Sequence, residues 1–137
     1  VYSSLAFHYV PDFQKLANDI YNLLNTGGYL LFSQEHPIVT ATFDGKQHYN
    51  KDENGNYTSF TFSNYNQPGE RDTFWYVDGV KKYHRTFSNI ISALCRVGFV
   101  IDTVCEPSPI ENATDFIPNI LEKELIKPTF LIVKASK

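Results

Sequence analysis

The chain lacks several features that mark large functional classes of protein. No apolar run approaches the roughly 20 residues that a membrane-spanning helix needs. No basic-then-apolar leader opens the sequence. The net charge is −3 and there is no basic run, so charge gives no support for binding to nucleic acid or to an anionic membrane. We therefore expect a cytoplasmic protein with no nucleic-acid or membrane partner.

Sulfur-containing residues and glycine motifs are also scarce. The two cysteines, Cys95 and Cys105, form neither a disulfide framework nor a metal pattern, so we predict two buried thiols in a reducing compartment and no metal site. Methionine is absent, which fits a sequence without its initiator residue. No G-x-G occurs, and the one adjacent glycine pair, Gly27-Gly28, is predicted to end a helix at its C-cap.

Strand and helix patterns alternate along the chain. Residues 1–4 have the pattern of the end of a strand, and Asp12 is a natural N-cap for an amphipathic helix over residues 13–24. Residues 29–33 are apolar on both faces, as in a central parallel strand. A further helix at 86–98, strands at 99–104 and 129–133, and a short helix with Pro118 in its first turn follow. This order predicts an α/β fold with a mainly parallel sheet.

Residues 39–83 are rich in Asn, Asp, Gly, Thr and aromatic residues, unlike the segments on either side. They are predicted to form antiparallel hairpins inserted over one edge of the sheet. Asn54-Gly55 and Asp78-Gly79 are the expected turns. Aromatic residues crowd this segment, including Tyr65 and Trp75. They are interpreted either as a substrate lid that excludes water or as ordinary packing in strands, which favour aromatic residues.

Two stretches of the chain resemble a known family. One is SSLAFHYVPDFQKLANDIYNLLNTGGYLLFS near the start, and the other is the closing unit of helix, Gly-Phe, strand, Glu-Pro and an apolar strand ending in Lys. Both resemble the C-terminal half of a class I S-adenosylmethionine-dependent methyltransferase. The residues QEHP at 34–37 and KYHRT at 82–86 are similar to a bacterial subgroup that methylates small molecules.

The resemblance implies a partial domain over residues 1–137, with 39–83 as its lid. The implied Rossmann-like sheet has the strand order 4-5-7-6 with an antiparallel last strand, and S-adenosylmethionine is the implied cofactor. The glycine-rich cofactor loop and the acidic ribose-binding residue of the family have no counterpart in this sequence. We therefore expect a chain that is inactive alone. An exposed first strand would pair with a missing N-terminal segment or with a second copy.

Candidate site residues gather where the first two strands end. Ser3, Ser4 and Leu5 are, by resemblance, the contacts to the methionine part of the cofactor. His8 is either a general base or substrate contact, or a packed histidine with satisfied nitrogens. Glu35 and His36 end the second strand, and a carboxylate beside an imidazole suits proton removal from a methyl acceptor, with His36 as the base.

The second hairpin contributes further candidates for binding the small-molecule acceptor. His84 and Arg85 lead from it into the next helix. Arg85 is interpreted either as a bidentate partner of an acidic substrate group or as a charged hairpin edge. Tyr65 and Trp75 complete the predicted substrate-binding set.

Three functions remain open on the sequence alone. The first is a methyltransferase part that acts on a small molecule. The second is a non-catalytic binding protein that keeps half of the sheet and uses its aromatic insertion as a contact surface. The third, a part of a nicotinamide-dependent oxidoreductase, is favoured least by the Leu-x-x-Gly-Gly pattern.

Overall fold

The computed structural model describes residues 1–44, 46 and 48–137, with the backbone alone for Trp75 and Asp78. The strands in chain order are β1 (Tyr2–Ser4), β2 (Tyr29–Glu35), β3 (His48–Lys51), β4 (Tyr57–Thr61), β5 (Gly69–Trp75), β6 (Val77–His84), β7 (Val100–Cys105) and β8 (Phe130–Ser136). The α-helices are α1 (Phe13–Leu23), α2 (Pro37–Thr40), α3 (Phe87–Val97) and α4 (Ile120–Ile126). Short 3₁₀ segments lie at Phe7–Tyr9 and Glu111–Asp115. The predicted α/β class is confirmed.

The main sheet has four strands in the order β1-β2-β8-β7. β1 runs parallel to β2, and β8 is antiparallel to both β2 and β7. β1 lies at the edge of this sheet, and 72% of the Tyr2 surface is exposed. A strand at such an edge keeps unpaired backbone groups on its outer side, which makes it a place where another strand can add.

One face of the sheet carries the hydrophobic core. Leu30 and Phe32 of β2 point to the same face as alternate residues of β8, and both strands are buried there. The apolar faces of α1 and α3 cover this surface and contact each other. The core residues are Phe7, Phe13, Ala17, Ile20, Leu30, Phe32, Ile90, Ala93, Leu94, Phe99, Leu131, Val133 and Ala135.

Side chains at the helix ends fix where α1 and α3 begin and stop. Asp12 accepts a hydrogen bond from the Lys15 amide at 2.8 Å, as the predicted N-cap should. Thr86 and Asn89 form a reciprocal capping box at the start of α3. Gly98 ends α3 with a φ of 113°, a left-handed conformation that favours glycine.

Residues 48–84 contain two separate antiparallel ribbons, β3–β4 and β5–β6. The Asn54-Gly55 turn lies between β3 and β4, as predicted, with a Gly55 φ of 87°. The predicted turn at Asp78-Gly79 is wrong, because this dipeptide lies inside β6. The ribbon reverses instead at Tyr76, which takes a positive φ of 56°, and the pairing is irregular between Thr73 and Trp75.

Two predicted helix boundaries are also displaced. α1 ends with Leu24 as its C-cap, so Gly27-Gly28 does not cap it. The glycine pair exchanges backbone hydrogen bonds with Lys137 at the end of the chain, and Gly27 has a φ of 79°. α4 begins after Asn119, so Pro118 precedes the helix and does not lie in its first turn.

The prediction of two buried cysteines is wrong, since both Cys95 and Cys105 are exposed. Cys95 lies on α3 away from its core-facing residues, and Cys105 ends β7, an edge strand whose residues are mostly exposed. Within the described residues, the helices are too short or too polar for any of them to cross a membrane.

Candidate functional site

The carboxyl ends of β1 and β2 meet at one edge of the main sheet. Their parallel pairing sets Ser4 opposite Ser33, and the antiparallel pairing of β2 with β8 sets Glu35 opposite Phe130. A cleft of about 280 Å³ opens at this edge. It is lined by Leu5, His8, Tyr9, Glu35, Val39, Thr129 and Phe130. Ligands of open α/β sheets bind at such strand ends, so this cleft is the candidate site.

Ser3, Ser4 and Leu5 occupy the β1 side of this edge. Leu5 has a φ of 49°, and its amide donates to the backbone oxygen of Ser33 at 2.9 Å and to the Ser33 Oγ at 3.2 Å. Ser4 Oγ lies 3.4 Å from Ser33 Oγ, and both Ser4 and Leu5 are exposed. The chain turns sharply here, so the side chains after β1 remain accessible at the edge of the sheet.

His8 is buried in the 3₁₀ segment that follows β1 and borders the cleft. Its Nδ1 accepts a hydrogen bond from the backbone amide of Glu35 at 3.3 Å, which joins the β1 loop to the end of β2. The imidazole packs against the Tyr9 ring. Burial lowers the pKa of His8, with the nearby Glu35 carboxylate opposing the shift, so the imidazole is held neutral.

Glu35 lines the cleft, and its carboxylate forms a buried ion pair. Its Oε1 lies 2.6 Å from Lys82 Nζ, and the side chains are only 12% and 8% exposed. Lys82 belongs to β6, so this pair connects the second ribbon to the main sheet. Lys82 is not among the site residues predicted from the sequence, because its run with Lys81 looks like a solvent-exposed hairpin edge. The two-residue period of a strand nevertheless places Lys82 on the same face as buried His84.

His36 acts as the N-cap of α2 and has partners at both imidazole nitrogens. Nδ1 accepts from the Ile38 amide at 3.2 Å, and Nε2 donates to Glu106 Oε1 at 2.9 Å. Burial lowers the pKa of His36, while the bond to Glu106 acts in the opposite direction. With Nε2 protonated, the lone pair of His36 is on Nδ1, so His36 would have to give up the bond from the Ile38 amide to act as a base.

His84 is also fully engaged. Its Nδ1 lies 2.8 Å from Thr40 Oγ1, and its Nε2 donates to the backbone oxygen of Tyr65 at 2.8 Å. The Tyr65 ring packs edge-on against His84, and its hydroxyl accepts from the Phe87 amide. The structure thus brings the predicted residues Tyr65 and His84 together, in a contact that joins the ribbons, α2 and α3.

Arg85 lies outside the residues that line the cleft. Its guanidinium donates to the backbone oxygens of Val10, Pro11 and Tyr83, and it borders a different, more polar depression between α1 and α3. Burial lowers the pKa of Arg85. The guanidinium therefore fastens the loop between β1 and α1 to the second ribbon.

The aromatic residues of the first ribbon and of the segment that follows β4 pack against one another, and Lys123 and Lys127 lie over some of the rings. Tyr49, Tyr57, Phe60, Phe62 and Tyr65 form a continuous series of ring contacts. None of these five borders the cleft, whose aromatic lining comes from Tyr9 and Phe130. The Trp75 side chain, predicted to bind substrate, lies outside what the structure describes.

A second cleft of about 280 Å³ lies beside the first and shares Phe130 as a wall. Its lining is mostly apolar and comes from the segment between β7 and α4, including Pro109, Ile110 and Ile117. Glu124, its one charged lining residue, accepts hydrogen bonds from the amide and hydroxyl of Thr129. No group of three metal-ligating side chains suitable for an ion occurs in the described part of the chain.

Comparison with solved structures gives this architecture a family context. An S-adenosylmethionine-dependent methyltransferase from Mesorhizobium loti matches 99% of the chain with a TM-score of 0.86 and 38% sequence identity, and the chain covers 60% of it. A protein of Listeria monocytogenes assigned to the same enzyme class matches 100% of the chain with a TM-score of 0.85 and 33% identity, again with 60% covered.

Sequence comparison adds one relative. An uncharacterised protein of Haemophilus influenzae is 35% identical over 105 residues, which are 77% of this chain and 41% of that protein. No family model matches the chain. The two solved structures confirm the resemblance: the chain has a class I S-adenosylmethionine-dependent methyltransferase-like fold, and it spans 60% of the length of each of those proteins.

Proposed function

We propose that this chain is the acceptor-binding part of an S-adenosylmethionine-dependent methyltransferase that acts on a small molecule. The observation that carries the proposal is the cleft at the carboxyl ends of β1 and β2, in a fold shared with solved methyltransferases. A concave, largely apolar site with a few polar groups is typical of small-molecule binding. Positioning of the acceptor in line with a methyl donor supplies most of the catalysis in such a reaction.

The cofactor side of the proposed site is only partly supplied by this sequence. In the proposed correspondence, β1, β2, β8 and β7 are the fourth, fifth, seventh and sixth strands of the family. S-adenosylmethionine would supply the methyl group, and Ser3, Ser4 and Leu5 would contact its methionine part. Their accessibility at the sheet edge fits this role, whereas the sequence holds no glycine-rich loop for the nucleotide. The chain alone is therefore proposed to be inactive.

The remaining predicted site residues divide by their contacts. Glu35 and His8 border the cleft and are proposed to contact the acceptor. His84, Tyr65 and Arg85 are proposed to position the ribbons and the β1 loop around it. His36 as a base, and Trp75 as a substrate contact, remain proposals.

Label transfer from methyl-labelled S-adenosylmethionine to a panel of small acceptors tests the proposal in the longer methyltransferase of which this chain is proposed to be a part. Val39→Trp would fill the cleft without altering a proposed cofactor contact and would displace the acceptor, and misplacement of this kind costs on the order of 100-fold in rate. Leu23→Trp is the matched control, because Leu23 is 78% exposed on α1 and outside the cleft. Equal activity of the two variants would contradict the assignment of the cleft.

The second candidate, a non-catalytic binding protein, is favoured by the exposed edge of β1. The cofactor side of the fold would then serve only for assembly, through pairing of β1 with another strand. A longer protein that methylates no acceptor in this assay and binds no S-adenosylhomocysteine would favour this alternative.

A further inference from the structure

His8 differs from the other two buried histidines in having one nitrogen for which the described residues provide no hydrogen-bond partner. His36 and His84 use both ring nitrogens in hydrogen bonds. Across the described residues, His8 is bonded through Nδ1 alone. In those residues, the fully buried side-chain atoms without a hydrogen-bond partner are Gln34 Oε1 and Thr42 Oγ1. His8 Nε2 is not one of these atoms, so it retains access to the cleft that His8 lines.

The bond at Nδ1 determines which ring nitrogen of His8 carries the proton. The Glu35 amide donates to Nδ1 at 3.3 Å, so Nδ1 must present its lone pair. In a neutral imidazole one nitrogen is an acceptor and the other a donor, which leaves the proton on Nε2. The opposite tautomer would set two N–H donors, Nδ1–H and the Glu35 amide, against each other in a buried place.

We propose that His8 is a hydrogen-bond donor to the methyl acceptor through Nε2–H and is not a base. This inference rests on the proposed function and narrows its substrate class. The ligand carries an oxygen that accepts the bond from Nε2, next to an apolar body that fits between Leu5, Tyr9, Val39 and Phe130. An apolar cavity of about 150 Å³ binds benzene, so a cleft of about 280 Å³ has room for a substituted ring.

The charged groups around the cleft are consistent with a neutral oxygen at this position. The Glu35 carboxylate is paired with Lys82 at 2.6 Å, and Arg85 is bonded to backbone oxygens. His8 therefore contributes a fixed donor beside a pair whose charges offset each other. Because its Nδ1 lone pair is occupied and Nε2 is protonated, His8 takes no proton from the acceptor, which has to arrive with a free lone pair.

Nitrogen-15 NMR of the labelled chain tests the tautomer directly. Long-range correlations between ring protons and nitrogens distinguish a protonated from an unprotonated nitrogen in each histidine. The expected result is a neutral His8 with the proton on Nε2 between pH 7 and pH 8. A neutral ring protonated at Nδ1, or an imidazolium at pH 7, would overturn the proposal.

A matched pair of ligands tests the donor function in the same chain without a cofactor. Acetophenone and α-methylstyrene have nearly the same shape, but only the first has an oxygen. Acetophenone should bind about 2- to 10-fold more tightly, as one net hydrogen bond predicts, and should shift the His8 Nε2 signal. Equal affinity with no selective shift would refute the proposal.

Two substitutions separate the donor from the bulk of the ring. His8→Phe should abolish the preference for acetophenone, while His8→Gln, whose amide can donate from a similar place, should retain it. His48→Phe is the control, because His48 is exposed and lies outside the cleft. If His8→Phe does not fold, the tautomer and the ligand preference of the unaltered chain still decide the question. Absence of methyl transfer by the longer protein would count against the proposed function and leave these results unchanged.

Discussion

The buried ion pair between Glu35 and Lys82 should be a strong determinant of stability. Its atoms lie 2.6 Å apart, and both side chains are almost fully buried. Removal of one partner leaves an uncompensated charge in the interior, which costs about 3–5 kcal/mol. We therefore expect Lys82→Met to lower the free energy of unfolding by about 3 kcal/mol. For a chain of this length that is roughly 10 °C in Tm.

Lys81 offers a control from the neighbouring position of the same strand. It pairs with Glu70 at 2.9 Å and with Asp72 at 3.0 Å, but its side chain is 48% exposed. Exposed pairs contribute about 1 kcal/mol or less because water screens them. Lys81→Met should therefore change the free energy of unfolding by no more than about 1 kcal/mol.

A double-mutant cycle with Glu35→Gln completes the measurement by urea unfolding at neutral pH. With both charges of this pair removed, neither Glu35 nor Lys82 is left as an unpaired buried charge. The free energy of unfolding of the double variant should therefore exceed the value predicted from the sum of the two single losses by at least about 2 kcal/mol. Strict additivity, or a Lys82→Met loss no larger than that of Lys81→Met, would refute the reasoning about this pair.

Three further perturbations follow from buried or strained groups. Burial lowers the pKa of three histidines: His8, His36 and His84. Below the ordinary histidine pKa of about 6.5, the unfolded chain binds more protons than the native chain. The free energy of unfolding should therefore fall from pH 7 to pH 5, by up to about 1.4 kcal/mol per pH unit for each histidine. A constant or rising free energy of unfolding in urea titrations would contradict this. Gly98→Ala should lower Tm, with a loss of about 1–3 kcal/mol in the free energy of unfolding. The reason is that Gly98 has a φ of 113° and a Cβ there would lie 3.0 Å from the Tyr21 hydroxyl. An unchanged Tm would show that the helix end relaxes. Arg85→Met should lower the free energy of unfolding by about 2 kcal/mol, because it leaves the backbone oxygens of Val10 and Pro11 without this donor. Arg96→Met is the control in the same thermal scan, because Arg96 is exposed.

Local patterns were sufficient to predict most elements of the fold. The Asp12 cap and the apolar period of residues 13–24 predicted α1, and the apolar run at 29–33 predicted β2. These features are encoded within a few neighbouring residues, through capping and through burial of one helix face. Turn positions were less secure: Asp78-Gly79 has a strong turn signal, yet the pairing of β5 with β6 moved the reversal to Tyr76.

The sequence predicted where the candidate site lies, but only part of the set of residues that form it. Leu5, His8 and Glu35 were expected at the strand ends, and all three line the cleft. Lys82, Tyr9, Thr129 and Phe130 were not among the predicted residues. Lys82 reaches Glu35 across 47 positions of sequence, and no local pattern specifies such a contact.

Short-range periodicity and motifs encode the α/β order, the family resemblance and the strand ends at which polar residues gather, so these could be predicted from residue order. Tertiary structure alone decided the state of each candidate side chain. It gave His36 and His84 partners at both nitrogens, placed Arg85 against backbone oxygens, and left His8 with a nitrogen accessible from the cleft. A hydrogen bond or an ion pair depends on which distant groups packing brings within about 3 Å, and residue type cannot specify that.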